Sequence, residues 1–208
     1  MVNPPVGTPP LPPYVIEPLG KHDRATFTCG SEPLDFYFRN QATQDIKRRV
    51  AKCSVAVEVA TSMIAGFYTL SATSLALTDL PEAMIKKLLR YPVVPAVLMG
   101  RLAVATSAQG RQLGRALFAH AVEYVVTGNI GAFALVVDAK DACAEQFYAR
   151  HGFVPITTQP RRLLLPLATA LAALAASSRS AQTRRVRSPR SRRATPARHS
   201  QSRSCTFA

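Results

Sequence analysis

The chain has 208 residues, 48% of them hydrophobic, and a formal net charge of +14. This is enough apolar material for one good core with an added tail. Cys29, Cys53, Cys143 and Cys205 are too scattered for a zinc site or a disulfide scaffold. The longest apolar stretch, Leu163 to Ala176, is 14 residues with Pro166 inside it, too short to cross a bilayer. With no basic and apolar leader at the start, the default is a reduced, soluble, cytoplasmic protein. Residues 1–176 hold 17 basic and 12 acidic residues, while the remainder adds nine arginines and no acid. Such a balance points to polyanionic partners.

Residues 1–13, with Pro4, Pro5, Pro9, Pro10, Pro12 and Pro13, read as an extended lead-in. Tyr14 to Leu19 suits a strand that Pro18 confines to an edge. Phe27 to Ser31 reads as a loop. Ser31 can then cap a helix to about Val50, with Pro33 in its first turn. Leu34, Tyr37, Phe38, Ala42, Ile46 and Val50 form its apolar side. Two strands follow, Cys53 to Val59 and Met63 to Ser71, paired as a hairpin across residues 60–62. A short helix from Pro81 to Leu89 places Lys86, Lys87 and Arg90 at its C-terminal end, where cations suit the helix dipole.

Val97 to Val104 reads as the central strand. It runs at once into Ala105-Thr-Ser-Ala-Gln109-Gly110-Arg111-Gln112-Leu113-Gly114-Arg115 and then a helix. The helix carries apolar residues at Leu113, Leu117, Phe118, Ala121, Val122 and Val125, and stops at Gly128-Asn129. Free N–H groups at a helix start, two glycines and two arginines suit a phosphate or pyrophosphate. Taken alone, the loop reads equally as an ordinary connection. Ala132 to Val137 is the continuous apolar run of a buried strand. Asp141 can cap a helix ending at Gly152, with Ala144, Phe147, Tyr148 and His151 on one side. On this helix alone, Tyr148 reads as a packing residue at least as readily as a chemical one. Phe153 to Pro155 and Arg162 to Leu165 suit closing strands. From Ser177 the Arg, Ser, Thr, Ala and Pro composition cannot offset its ordering entropy, so a disordered basic tail is expected. Three regions result: a lead-in over 1–13, a folded domain over 14–176, and a tail over 177–208.

Strand, basic glycine loop, helix, strand, and a helix ending in Phe147-Tyr148-Ala-Arg-His-Gly152-Phe153 together resemble the GNAT superfamily of acetyl-CoA-dependent N-acetyltransferases. The resemblance covers roughly residues 14–169. The family's loop pattern is R/Q-x-x-G-x-G/A. Gln109 and Gly114 hold its first and last positions, while Gln112 stands where the middle glycine is usual. The resemblance implies an α/β (α+β) fold: a mixed sheet flanked by helices and splayed between the central strand and the next. It implies that the backbone of Leu102, Ala103 and Val104 pairs with the pantetheine arm of acetyl-CoA. Gln109, Gly110, Arg111, Gln112, Leu113, Gly114 and Arg115 would hold the pyrophosphate. Tyr148 would lie by the sulfur as proton donor, a role worth ~10²–10⁴-fold. An α-amino group, with a reference pKa of about 7.7–8.0, needs no dedicated strong base.

Cys29-Gly30, Gln44-Asp-Ile-Lys-Arg-Arg49, Gly66-Phe-Tyr-Thr-Leu-Ser-Ala72 and Arg90-Tyr-Pro-Val-Val-Pro95 before Gly100-Arg-Leu-Ala-Val104 are similar to the GNAT toxins of bacterial toxin–antitoxin pairs. That narrower resemblance implies acetylation of the α-amino group of aminoacyl-tRNA, arrest of translation and a homodimer, while the short apolar stretch argues for no membrane role. Its implied partner is a small ribbon-helix-helix antitoxin that binds operator DNA. The basic residues available for tRNA are Lys47, Arg48, Arg49, Lys86, Lys87, Arg90 and Arg101, each of which also reads as a solvated surface charge. Two other readings stand beside it: a GNAT enzyme acting on another amine, and a non-catalytic GNAT-fold module binding nucleic acid or protein.

Overall fold

The computed structural model describes residues 14–88, 91–129, 131–156 and 158–172. The lead-in over 1–13, Arg90 and the tail from 177 lie outside the described residues, as does the side chain of Lys87. The described strands are β1 (Tyr14–Pro18), β2 (Lys52–Glu58), β3 (Ile64–Ala76), β4 (Val93–Val104), β5 (Ala134–Asp138), β6 (Val154–Pro155) and β7 (Arg162–Pro166). They form one mixed sheet in the order β1-β2-β3-β4-β5-β7-β6. Neighbours pair antiparallel except β4 and β5, which are parallel. A parallel neighbour requires a crossover, and the helix from Leu113 to Val126 supplies it.

The helices are α1 (Glu32–Phe36), α2 (Ala42–Lys47), α3 (Glu82–Leu88), α4 (Leu113–Val126) and α5 (Ala142–Arg150). The expected single helix from Ser31 to Val50 is instead α1 and α2 joined by one π-helical turn, Tyr37–Gln41. It ends early because Arg49 turns left-handed at φ +59°, leaving Val50 58% exposed. Nor does the Ser31 side chain cap α1. Asp35 holds this entry instead: its carboxylate accepts from the Cys29 amide and the Thr28 hydroxyl, both at 2.8 Å. Burial pushes the Asp35 carboxyl up, but these bonds and Arg39 outweigh it and hold the pKa below the usual value.

α4 and α5 cover one face of the sheet. Leu113, Leu117, Phe118, Ala121, Val122 and Val125, the whole expected stripe of α4, are buried there with Leu102, Val104, Leu135, Val137 and Tyr148. α1, the π turn and α2 cover the other face, where Phe27, Phe38 and Phe67 meet ring on ring. A third cluster, around Leu75, Val94, Ala96 and Val136, closes the far end beside α3. Hydrophobic alternation marks only the centres of β3 and β4. The two strands run further because they pair, across one register shift, from Gly66↔Val104 to Ala76↔Val93.

Candidate active site

The site begins where β4 and β5 part. Their pairing runs from Ala96↔Ala134 to Met99↔Val137 and stops, while β4 continues to Val104. The departure coincides with a bulge. β3 pairs Leu70 with Met99 but Thr69 with Arg101, so Gly100 is the extra residue. The bulge resets the alternation: Met99, Leu102 and Val104 face α4, while Ala103 joins the core under α1. Leu102, Ala103 and Val104 are thus paired to β3 on one side and to no described strand on the other. Unpaired backbone at a strand edge accepts an extended ligand as it would another strand. This edge also opens at the carboxyl ends of two parallel strands, where open α/β sheets bind their ligands.

Past Val104 a tight turn, Thr106–Ala108, leads into residues 109–112 and the start of α4. The Gln109 carboxamide donates to the carbonyls of Cys29, at 2.9 Å, and Val104, at 3.1 Å. Its side chain therefore clamps the loop to the end of β4, leaving only its backbone to face a ligand. Gly110 and Gln112 both adopt left-handed backbone, at φ +75° and +60°. The middle motif position thus demands the conformation for which glycine is suited, and Gln112 adopts it at a cost of about 1–2 kcal/mol. The loop shape survives the substitution. Among the described residues no side chain caps α4, so its first N–H groups keep the partial positive charge that attracts an anion. Leu113 and Gly114 are buried; Gly110, Arg111, Gln112 and Arg115 are exposed. Arg111, Gln112, Leu113 and Arg115 line an open groove with Tyr14 of β1 and Ala116 and Ala119 of α4.

Tyr148 reaches the same core from α5. Asp141 caps that helix, its Oδ1 accepting from the Ala144 amide at 2.8 Å. Gly152, at φ +87°, turns the chain just past the C-cap residue His151. The Tyr148 ring is 1% exposed and packs edge-on or tilted against Phe118, Phe147 and Phe153. Burial pushes its pKa well above the usual tyrosine value, so the phenol is a neutral donor near pH 7. It does not line the groove at the α4 start. It belongs to the same buried cluster as Leu102 and Val104, whose backbone forms the open edge.

The basic candidates fall into separate places. Lys47, Arg48 and Arg49 are exposed together at the end of α2; Lys86 is exposed on α3, which also carries Lys87. Arg101 is half-buried on β4, its guanidinium 3.4 Å from the centre of the Tyr37 ring. The Tyr37 hydroxyl in turn donates to Asp45 Oδ2 at 2.9 Å. Sequence reading placed Tyr37 in an apolar stripe and did not single out Asp45. Eight residues apart, about 12 Å along a regular helix, they carry no spacing signal that could have joined them. Also unforeseen was the bond between the Tyr68 hydroxyl and His120 Nδ1, 2.8 Å, which ties β3 to α4. Burial pushes the Tyr68 phenol up to about 12. Among the described residues no three His, Cys, Asp or Glu side chains gather to hold a metal.

With this geometry in place, comparison with known proteins assigns the family. The model of the "Acetyltransferase (GNAT) domain" family matches residues 52–155, from β2 to β6. A tRNA-acetylating toxin of Mycobacterium tuberculosis is 32% identical over 152 residues, covering 72% of this chain and 89% of its own. A probable toxin TacT of Sinorhizobium fredii is 26% identical over 167 residues, 74% of this chain and 92% of its own. Among solved structures, AtaT complexed with acetyl-methionyl-tRNAfMet superposes with a TM-score of 0.73 at 25% identity, covering 78% of this chain and 99% of that one. AtaTR bound with acetyl-CoA gives 0.68 at 26% identity, covering 77% and 98%. AtaT bound to the C-terminus of the antitoxin AtaR gives 0.64 at 25%, covering 75% and 94%. The chain therefore belongs to the GNAT acetyltransferase family.

Proposed function

We propose that this acetyltransferase moves the acetyl group of acetyl-CoA onto the α-amino group of aminoacyl-tRNA and so arrests translation. The observation that carries the reading is the free edge of β4 running directly into the uncapped start of α4. It offers an extended arm its backbone partners and a diphosphate its amides, in one continuous path. The acetyl-CoA named for AtaTR and the acetylated tRNA named for AtaT support the two substrates.

When bound, acetyl-CoA supplies an activated thioester. Leu102, Ala103 and Val104 orient the arm through their backbone, and residues 109–115 hold the diphosphate, with Arg111 and Arg115 adding charge-assisted bonds. The buried Tyr148 keeps its proton at pH 7 and would donate it to the departing sulfur, regaining one through solvent from the proton the acceptor amine releases. The amine, already partly neutral near pH 7, loses its proton to water. Fixing donor and acceptor together supplies most of the remaining rate. Lys47, Arg48, Arg49, Lys86, Lys87, Arg90 and Arg101 are the proposed contacts to tRNA phosphates. The regulatory partner is a small ribbon-helix-helix antitoxin able to bind operator DNA, and the active unit is a cytoplasmic homodimer. The AtaT–AtaR complex supports an antitoxin partner.

Radiolabelled acetyl-CoA, mixed with the chain and with charged or uncharged tRNA, tests the substrate. Label recovered as N-acetyl-amino acid after mild hydrolysis, and only from charged tRNA, is the expected result. Label on a small amine or a protein N-terminus instead would move the activity to another acceptor.

A further inference from the structure

Arg101 differs from every other basic residue near the site. It stands second after Met99, the last residue of β4 paired to β5, so it borders the opening itself. Its neighbour in sequence Leu102 faces α4, whereas Arg101 lies against Tyr37 on the opposite face of the sheet. Of the other arginines on that side of the sheet, Arg24 donates to the Phe38 carbonyl at 2.6 Å, Arg39 pairs with Glu32 at 3.7 Å, and Arg48 and Arg49 stand exposed at the end of α2. Among the described residues no carboxylate forms an ion pair with Arg101. A half-buried guanidinium stacked on a ring keeps its charge and its fork of donors for an incoming anion.

The platform beneath it is fixed. Tyr37 is 3% exposed, begins the π turn between α1 and α2, and is tethered through its hydroxyl to Asp45. A π turn within a helix costs regular hydrogen bonding and recurs where a side chain has to be aimed. Here it lets Tyr37 lie under Arg101 while Asp45 closes the bond from the next helix.

The group best matched to this guanidinium carries its own negative charge, because charge-assisted bonds are the strong ones. In an aminoacyl ester the amino acid's carboxylate is consumed, so the anion nearest the amine is a phosphodiester of the terminal nucleotides. Resting on the aminoacyl-tRNA reading above, we propose that Arg101 binds that phosphodiester, and that Tyr37 and Asp45 are its positioning residues. The loop at α4 then holds the donor's phosphates on one face, and Arg101 the acceptor's phosphate on the other.

The test compares two small acceptors, an aminoacyl-adenosine without phosphate and an aminoacyl-cytidylyl-adenosine with one. Arg101→Gln is expected to lower kcat/KM for the second by about tenfold or more, mostly through KM, and for the first by less than about twofold. Acetyl-CoA affinity, measured by calorimetry, should stay within about twofold of the unaltered chain. Tyr37→Leu should resemble Arg101→Gln. Tyr37→Phe, which keeps the ring but cuts the bond to Asp45, and Asp45→Ala, which cuts the same bond from the other side, should both fall between on the phosphate-bearing acceptor. Equal losses on both acceptors, in an enzyme that acetylates charged tRNA, would overturn the role of Arg101 alone. A selective loss on a free amino acid would assign Arg101 to a carboxylate and overturn it too. No acetylation of charged tRNA by the unaltered chain would overturn the aminoacyl-tRNA reading and this role with it.

Discussion

At the scale of single residues, the proposed chemistry and its loop turn on Tyr148 and Gln112. Tyr148 is buried among aromatics and kept neutral near pH 7, so in the proposed reaction it holds the proton that the sulfur takes. Tyr148→Phe preserves the packing and removes the donor. Turnover should fall about 10²-fold or more, while acetyl-CoA affinity changes less than about twofold, as steady-state kinetics and calorimetry would read. Gln112 carries left-handed strain at φ +60°. Gln112→Gly removes that strain but frees the unfolded chain, so the net gain should be about 0.5–1 kcal/mol. Gln112→Val, branched at the same backbone position, should lose about 1–2 kcal/mol, and urea unfolding separates the two. The motif position of both residues was legible in the sequence. That Gln109 spends its side chain on two carbonyls was not, because one of them belongs to the distant Cys29.

At the scale of elements, the seating of α4 on β3 and β4 is the critical contact. A Cβ at Gly66 would stand 2.7 Å from Leu117 Cδ1 and 2.8 Å from the Ala103 carbonyl oxygen. Leu117 can turn aside, but the carbonyl belongs to the β4 ladder and cannot. Gly66→Ala should therefore cost about 1–3 kcal/mol in chemical denaturation. The helix itself was legible: a period of 3.6 in apolar residues needs only local sequence, and every residue of the expected stripe is buried. The cap of α5 by Asp141 was legible for the same reason. The Gly100 bulge and the Tyr37–Gln41 π turn were not. A bulge is set by pairing with another strand, and a π turn by the surface the helix must cover. Sequence alternation alone therefore could not say that Arg101 faces away from α4.

At the scale of the molecule, charge and topology divide the labour. Strand order brings the chain to one seam where parallel pairing fails, and two helical layers close its two faces. Strand, loop, helix, strand and helix in that order carried the family in the sequence; the width and contents of the seam depended on contacts between remote segments. Lys47, Arg48 and Arg49, exposed at one helix end, should contribute through phosphate contacts rather than base recognition. Binding of charged tRNA should weaken steeply with salt, and replacing any one contacting residue by Gln should reduce the log–log slope by roughly 0.7–0.9. Binding that ignores salt would remove the electrostatic part of tRNA recognition.

The central claim is that acetyl-CoA lies along the free edge of β4 and seats its diphosphate on the start of α4. Amide hydrogen exchange with and without acetyl-CoA measures this most directly. Exchange should slow at residues 102–105 and 110–115 and change little in β1 and β2. Slowing confined to other segments, at ligand concentrations where calorimetry shows a saturated site, would contradict it.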